Sequence, residues 1–355
     1  MTNGFRSIMQ RACNGGSFSS FNLENSGCGL HVVKKFGFPL LSFLFWLACI
    51  SVWAQVPPGY DSAGFARIGV GVRALGMAGA FTAVAEGPMA AYWNPAGLAN
   101  LSTFSAEGMY TNWMSADIHY QYLILAGYPP LRGGRPALLW QGEPVVFGLG
   151  WVSVVVPDIP WIEESGETGV FTAWSSLFLV SFGLSFPNFS DLSLGASLKI
   201  YHDRILEGLS LGLGLDLGFL WRGEVAGIPV SLGIVATDVG ETKIRWYGTQ
   251  GEPENFVPWL ARAGFAAQLW EGRILIAASY EWGLRRPRFE RLRVGAELSF
   301  EWVFLRFGYE WLWVEPTGHW RAGLGVRPLE WLEIDYAFLP GTLGDSHLLA
   351  LRVDF

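Results

Sequence analysis

The sequence predicts an all-β membrane protein, an antiparallel transmembrane β-barrel of about fourteen strands. Three observations predict it. The chain is rich in apolar residues yet has no long apolar run after its first 54 residues. From about residue 103 to the end, apolar and polar side chains alternate. Tryptophans gather at the ends of the alternating segments.

Of the 355 residues, 51 % are hydrophobic and only 15 % are charged. Soluble domains carry about 25 % charge. Gly (45), Phe (25) and Trp (18) are abundant. No stretch beyond residue 55 stays apolar for the roughly 18 residues that a membrane-spanning helix needs. That leaves a large β core or a barrel whose outer face meets lipid.

Residues 103–355 carry the alternation. In 291–301, Leu292, Val294, Ala296, Leu298 and Phe300 share one face, while Arg291, Arg293, Gly295, Glu297, Ser299 and Glu301 share the other. Successive strand side chains point to opposite faces, so this is a strand with one greasy and one polar side. Fourteen such segments start near residues 103, 118, 145, 174, 191, 208, 228, 258, 273, 291, 303, 319, 331 and 347, most of them 9–14 residues long. A tilted membrane strand needs roughly 9–11 residues, against about 5–6 in soluble sheets.

The polar face holds Arg262, Arg273, Glu281, Arg293, Glu297, Arg306 and Glu310, with Lys199, Asp216, Arg321, Glu333, Asp335 and Arg352 on the same parity. In a soluble sandwich these would form a solvated exterior. In a barrel they line the lumen. Trp270, Trp282, Trp302, Trp311, Trp313, Trp320 and Trp331 lie at or near segment ends, where a barrel has its two aromatic girdles. With both termini on one side, the connections at the far end are the longer ones, led by 239–257 and 157–173. Segment 129–144 breaks this rule and marks either a miscount or an excursion on the short-turn side.

Ahead of the barrel, residues 34–54 read as an export signal. Lys34-Lys35 is the basic n-region, Phe36–Ile50 the apolar core, and Val52-Trp53-Ala54 the cleavage site. Residues 1–32 match no part of a signal, and a translation start near Val33 would account for them. Trp46-Leu47-Ala48-Cys49 is a poor lipoprotein box because of its Trp. Cys13, Cys28 and Cys49 all fall within 1–54, so 55–355 has no disulfide and no Cys-based zinc site. Residues 1–54 also carry Arg6, Arg11, Lys34, Lys35 and Glu24; without them 24 basic residues become 20 and 31 acidic become 30, a net charge of −10. That argues against nucleic acid as a partner.

Residues 55–102 form a separate segment, the hatch or plug, and within it 60–101 have a different period. Within them, 66–101 is rich in small residues and predicts short helices near 73–84 and 87–92. Asn94-Pro95 suits a helix start, since Asn caps free N–H groups and Pro is tolerated at the first helical position. Gly69-Val70-Gly71-Val72-Arg73-Ala74 matches a dinucleotide fingerprint, but no strand of a βαβ unit precedes it. His119, His202, His319 and His347 are scattered. No catalytic or metal-ligand cluster stands out, so neither an enzyme nor a cofactor is expected.

The same segment carries a resemblance. Ala74-Leu75-Gly76-Met77, Gly79-Ala80-Phe81, Ala83-Val84-Ala85 and Tyr92-Trp93-Asn94-Pro95-Ala96-Gly97-Leu98 resemble the N-terminal signature of PorV/PorQ-type proteins, relatives of the FadL-type long-chain fatty-acid transporters of the bacterial outer membrane. The C-terminal run Ile334-Asp335-Tyr336-Ala337-Phe338, Leu343-Gly344, Ser346-His347 and the final Phe355 fit as well. The family usually has acidic residues near Glu86; here the run is Glu86-Gly87-Pro88. The resemblance implies a fourteen-stranded barrel with a small helical hatch in the lumen, its motif at Gly76, Gly79, Asn94, Pro95, Ala96 and Gly97. It also implies an outer-membrane location after export, with membrane lipid and the barrel-assembly machinery as partners. Uptake of a hydrophobic ligand such as a fatty acid leads the implied functions. A PorV-like part in type IX-like protein secretion and a purely structural barrel are the alternatives.

Two predictions follow from these residues alone. N-terminal sequencing of the membrane-extracted protein is expected to start at Gln55 or within a few residues; a mature chain that retains Lys34 overturns the signal reading. Val294→Arg is expected to cost roughly 2–4 kcal/mol near the bilayer midplane. Arg293→Val, on the other face, is expected to be better tolerated unless it strands a lumen carboxylate such as Glu297. Equal tolerance of both in a heat-modifiability gel would count against the barrel.

Overall fold

A computed structural model describes residues 63–128, 138–162, 166, 168–189, 191–249, 251, 253–284, 290–312 and 318–355. The export signal, and with it the predicted mature N-terminus, lies outside the described residues. Eighteen strands run in chain order: β1 Ser105–Asn112, β2 His119–Gly127, β3 Leu139–Trp140, β4 Glu143–Pro144, β5 Val146–Ile162, β6 Thr168–Phe186, β7 Leu192–Ile205, β8 Gly208–Val225, β9 Ile228–Thr237, β10 Thr242–Tyr247, β11 Glu254–Val257, β12 Leu260–Leu269, β13 Ile274–Gly283, β14 Glu290–Phe300, β15 Val303–Leu312, β16 Gly318–Leu329, β17 Leu332–Leu339 and β18 Ser346–Asp354. All but β3, β4, β10 and β11 close into one antiparallel ring of fourteen, sealed where β1 pairs with β18.

The distribution of polarity is the reverse of a soluble core. Along β8, Leu209, Leu211, Leu213, Leu215 and Leu217 are exposed, and Ser210, Gly212, Gly214, Asp216 and Gly218 between them are buried. Leu213 is 63 % exposed and Asp216 only 1 %. Such a surface is stable only where the exterior solvent is hydrocarbon. Trp270, Trp302 and Trp331 ring the short-turn end, and Trp174, Trp311 and Trp320 the opposite end, all exposed. No helix among the described residues is long and apolar enough to cross a membrane.

Thirteen of the fourteen ring strands begin within two residues of the positions read from the sequence. The exception is β6, which starts at Thr168 instead of near 174. Segment 157–173 is therefore mostly strand, not an open loop. β5 and β6 stay paired to Ile162 and Thr168, past a bulge between Val156 and Ile159 at which Asp158 takes a positive φ of 51°. A bulge of this kind bends a strand without ending it. Within 239–257, β10 and β11 form a hairpin that pairs with the far end of β8. The anomalous 129–144 is an excursion: β3 and β4 form a small hairpin between β2 and β5 and leave the ring count at fourteen, while 129–137 lies outside the described residues.

The segment before the barrel holds α1, Val72–Gly76, and α2, Ala90–Trp93, with 3-10 turns at Gly64–Arg67 and Pro95–Asn100. The predicted helix over 73–84 thus stops at 76. Ala78 takes a φ of 55°, its N–H donates to Leu75 O (3.0 Å), and Gly79 N–H donates to Ala74 O (2.8 Å). That pair of bonds is a Schellman stop, which consumes the last free carbonyls and turns the chain. The second helix begins at 90 instead of 87. What was read as two helices is mostly tightly turned chain.

Candidate functional site

Residues 63–101 fill the lumen and touch its wall through backbone. Around the ring, the wall meets this hatch with glycines on its inward parity. Gly183, Gly195 and Gly218 lie side by side on β6, β7 and β8. Gly233 pairs with Gly264, and Gly295 with Gly308. A Cβ on Gly195 would lie 2.3 Å from Pro95 C, one on Gly233 2.3 Å from Thr82 O, and one on Gly308 2.3 Å from Met77 C. Gly76 approaches Gly323 across the same gap, at 3.1 Å from its ideal Cβ to the Gly323 Cα. Any larger side chain at these positions would push the hatch off the wall.

Asn94 is completely buried and its amide is fully used. Oδ1 accepts from Ala96 N–H (3.2 Å), the capping bond the sequence suggested. Nδ2 donates to Thr82 O within the hatch (3.0 Å) and to Phe219 O on β8 (3.0 Å). One side chain therefore caps a turn, ties two hatch segments together and pins both to the wall. Pro95 and Ala96 press on Gly195 and Gly218, while a Cβ on Gly97 would lie 2.0 Å from Ala85 O. Gly79 completes the Schellman stop and lies against the Trp93 ring. Further ties run from Ser231 Oγ to Ala83 O (2.8 Å), Ser197 Oγ to Ala91 O (2.9 Å) and Arg222 Nη2 to Val84 O (3.3 Å).

The charges sort into clusters on either side of the hatch. Toward the long-loop end, Arg293 meets Glu281 (3.4 Å) and Glu310 (3.2 Å), Arg262 meets Glu281 (3.6 Å), and Arg321 meets Glu310 (3.3 Å). The Trp93 ring of the hatch lies under both Arg262 (5.5 Å) and Arg293 (5.9 Å) as a cation–π partner. Toward the short-turn end, Arg306 bridges Glu297 (2.6 Å), Glu333 (3.1 Å) and Asp335. Arg73 of α1 joins that cluster through a two-pronged contact with Glu297 (2.7 and 2.8 Å) and also pairs with Glu86. On the opposite wall, Lys199 sits between Asp216 (2.8 Å) and Asp238 (3.0 Å).

Six of the seven lumen charges singled out from the sequence, Arg262, Glu281, Arg293, Glu297, Arg306 and Glu310, are buried inside the barrel. Arg273 is not: it is exposed in the turn before β13 and lies over the Trp270 ring at 5.5 Å. The inward parity ended one residue short of it, because the turn bond Arg273 N–H to Trp270 O begins there. The exception attached to Arg293→Val concerns Glu281 and Glu310 rather than Glu297: both lose a partner with Arg293, while Arg262 (3.6 Å) stays on Glu281 and Arg321 (3.3 Å) on Glu310. Removing one partner of a buried pair costs about 3–5 kcal/mol. Sequence reading missed the wall glycines and the Arg73–Glu86–Glu297 link. The glycines carried a signal, as they fall on the polar parity of their strands. Arg73 carried none, because its partner lies 224 residues away.

Space remains on both sides of the hatch. A cavity of about 440 Å³ opens beneath it toward the short-turn end, bounded by Ala83, Val84 and Glu86 of the hatch and by Arg222, Gln268 and Glu333 of the wall. On the other side only about 30 Å³ is left around Trp93, Lys199 and Arg262. The arrangement is a barrel lumen filled across its middle by the hatch. It holds paired charges and hydroxyl-to-carbonyl ties, and its polar groups face a solid plug.

No family model matches this chain, and no curated relative matches it. Among solved structures, its fold is similar to the P. putida toluene transporter TodX (TM-score 0.54, 14 % identity, covering 81 % of this chain and 99 % of that one). It is likewise similar to the monoaromatic hydrocarbon channel CymD (0.52, 14 %, 81 % and 98 %) and to the Ralstonia pickettii toluene transporter TbuX (0.50, 13 %, 81 % and 98 %). At these identities the likeness is one of fold.

Asn94→Ala removes the bonds to Thr82 O and Phe219 O and the cap on Ala96 N–H together, at about 0.5–1.5 kcal/mol for each bond lost. The fourteen-stranded wall does not depend on those bonds. The variant is expected to keep the heat-modifiable gel shift of a folded barrel while its hatch becomes cleavable by added protease and its planar-bilayer conductance rises. A folded Asn94→Ala protein with unchanged proteolysis and conductance would remove Asn94 from the closing mechanism.

Proposed function

We propose that this chain is an outer-membrane channel that takes up a hydrophobic small molecule and is closed at rest by its hatch. The observation that carries the reading is the plug itself, backbone against wall glycines around the ring and pinned at Asn94, between a cavity on one side and a nearly filled space on the other. A passage so closed conducts only when the hatch moves. The cargo class is supported by the solved channels of similar fold, whose names say toluene and monoaromatic hydrocarbon, and by the FadL-type resemblance of residues 74–98, for which fatty acids are the corresponding cargo. The outer-membrane location is supported by the apolar exterior, the aromatic girdles and the signal at 34–54. The same signature also supports a PorV-type part in protein export, in which no small molecule need cross.

A covalent tether separates these readings. An ideal Cβ on Gly148 of β5 lies 3.1 Å from Ala91 Cβ in the hatch, close to the roughly 3.5–4.5 Å that a disulfide spans. Residues 55–355 have no cysteine of their own to interfere. Ala91→Cys with Gly148→Cys is expected to take up a toluene probe into proteoliposomes when reduced and to stop when oxidised. Uptake that is equal in both states would show that the hatch does not gate. No uptake by the reduced or the wild-type barrel would favour the export reading.

A further inference from the structure

The outer wall departs from its own rule at one place. Among the described residues, every Lys or Arg on a strand of the sheet is turned into the lumen except three: Arg204 on β7 and Lys243 and Arg245 on β10. Their outward direction follows from the alternation. Asp203 beside Arg204 is buried, and so are Thr242 and Ile244 beside the β10 cations, whereas Lys243 and Arg245 are 56 % and 59 % exposed.

The register brings the three together. Arg204 stands opposite Trp174 on one side and Leu209 on the other. Arg245 stands opposite Leu211, and Tyr247 opposite Leu209. The exposed leucines of β8, Leu209, Leu211 and Leu213, thus form an apolar ridge with Arg204 on one flank and Lys243 and Arg245 on the other. This ridge exists because β8 exchanges β9 for β10 as its neighbour toward the long-loop end. Trp174 and Tyr247, both exposed, mark the row as headgroup level. Glu254 is the carboxylate on these rows, 3.0 Å from Arg245 and 3.5 Å from Lys243, and Glu207 lies in the turn beyond. His202, one row deeper, is engaged with Ser210 O through Nδ1. Arg204 has no carboxylate partner among the described residues.

We infer that this patch binds a phosphate-bearing anionic lipid of the surrounding leaflet, its headgroup on Arg204, Arg245 and Lys243 and its acyl chains along Leu211, Leu213 and Leu215. The occupant must be anionic and apolar at once, because the cations border a face that is otherwise built for hydrocarbon. Guanidinium groups match phosphate oxygens with two parallel bonds, which a lone ammonium cannot do. Each cation held near an anionic leaflet contributes about fivefold in affinity. The inference rests on the membrane placement of the rim and not on what the lumen passes.

Native mass spectrometry of the full barrel released from detergent tests it. The probes are dimyristoyl phosphatidic acid, the uncharged diglyceride with the same chains, and inorganic phosphate. The wild type is expected to retain phosphatidic acid one to one and neither of the others. Arg204→Gln with Lys243→Gln and Arg245→Gln is expected to lose that adduct by about a hundredfold, while Arg273→Gln, an exposed cation at the opposite rim, keeps it. Both the triple variant and the control change exposed side chains, and the heat-modifiable shift verifies that each is folded. Equal retention by the wild type and the triple variant overturns the site. Equal retention of the diglyceride reduces it to an apolar groove, and tight binding of inorganic phosphate alone overturns the lipid assignment. Capture of a soluble acidic peptide in preference to phosphatidic acid would mark the patch as a protein-docking surface instead.

Discussion

The structure depends on an approach distance. A ring of fourteen strands encloses more space than small side chains fill, and this chain fills it with a second layer of backbone. Backbone can lie on backbone only where the wall offers no Cβ, so the inward positions at Gly183, Gly195, Gly218, Gly233, Gly264, Gly295 and Gly308 set where the hatch lies. Elsewhere the wall reaches inward with long charged side chains that hold the hatch by its edges. The division is consistent: glycine where the hatch touches, ion pairs above and below it.

The ion pairs are costly to form and more costly to break. A buried pair gains little over apolar packing, but a buried charge without its partner is strongly destabilising. Arg73 brings this cost to the hatch. It belongs to the hatch, yet Glu297 belongs to the wall, so any displacement of α1 would leave that carboxylate to Arg306 alone. Trp93 is placed alike on the other side, under Arg262 and Arg293. A hatch tied this way, if displaced, would be drawn back by these contacts without a dedicated latch.

Much of the wall was legible because a barrel strand repeats every two residues and writes its inside and outside into adjacent letters. Leu292 to Phe300 shows both faces without any tertiary knowledge. The hatch was legible only in part. Its small residues and Asn94-Pro95 stood out, yet the end of α1 depends on Ala78 adopting a left-handed conformation, which alanine rarely does and composition does not announce. The tie from Asn94 to Phe219 O and the contact of Arg73 with Glu297 join residues far apart in the chain. Periodicity carries no information about such pairs. Arg273 shows the opposite failure: parity continued on paper after the strand had ended.

The hatch also has a consequence for assembly order. It precedes β1 directly, and β1 and β18 form the seam that shuts the ring. Its turns touch wall strands from β5 round to β17 with no annulus between. A plug with that fit cannot be threaded into a finished cylinder. A wall that curls around residues 63–101 while the seam is still open would meet no such obstacle, the hatch then serving as the mandrel on which the last strands close.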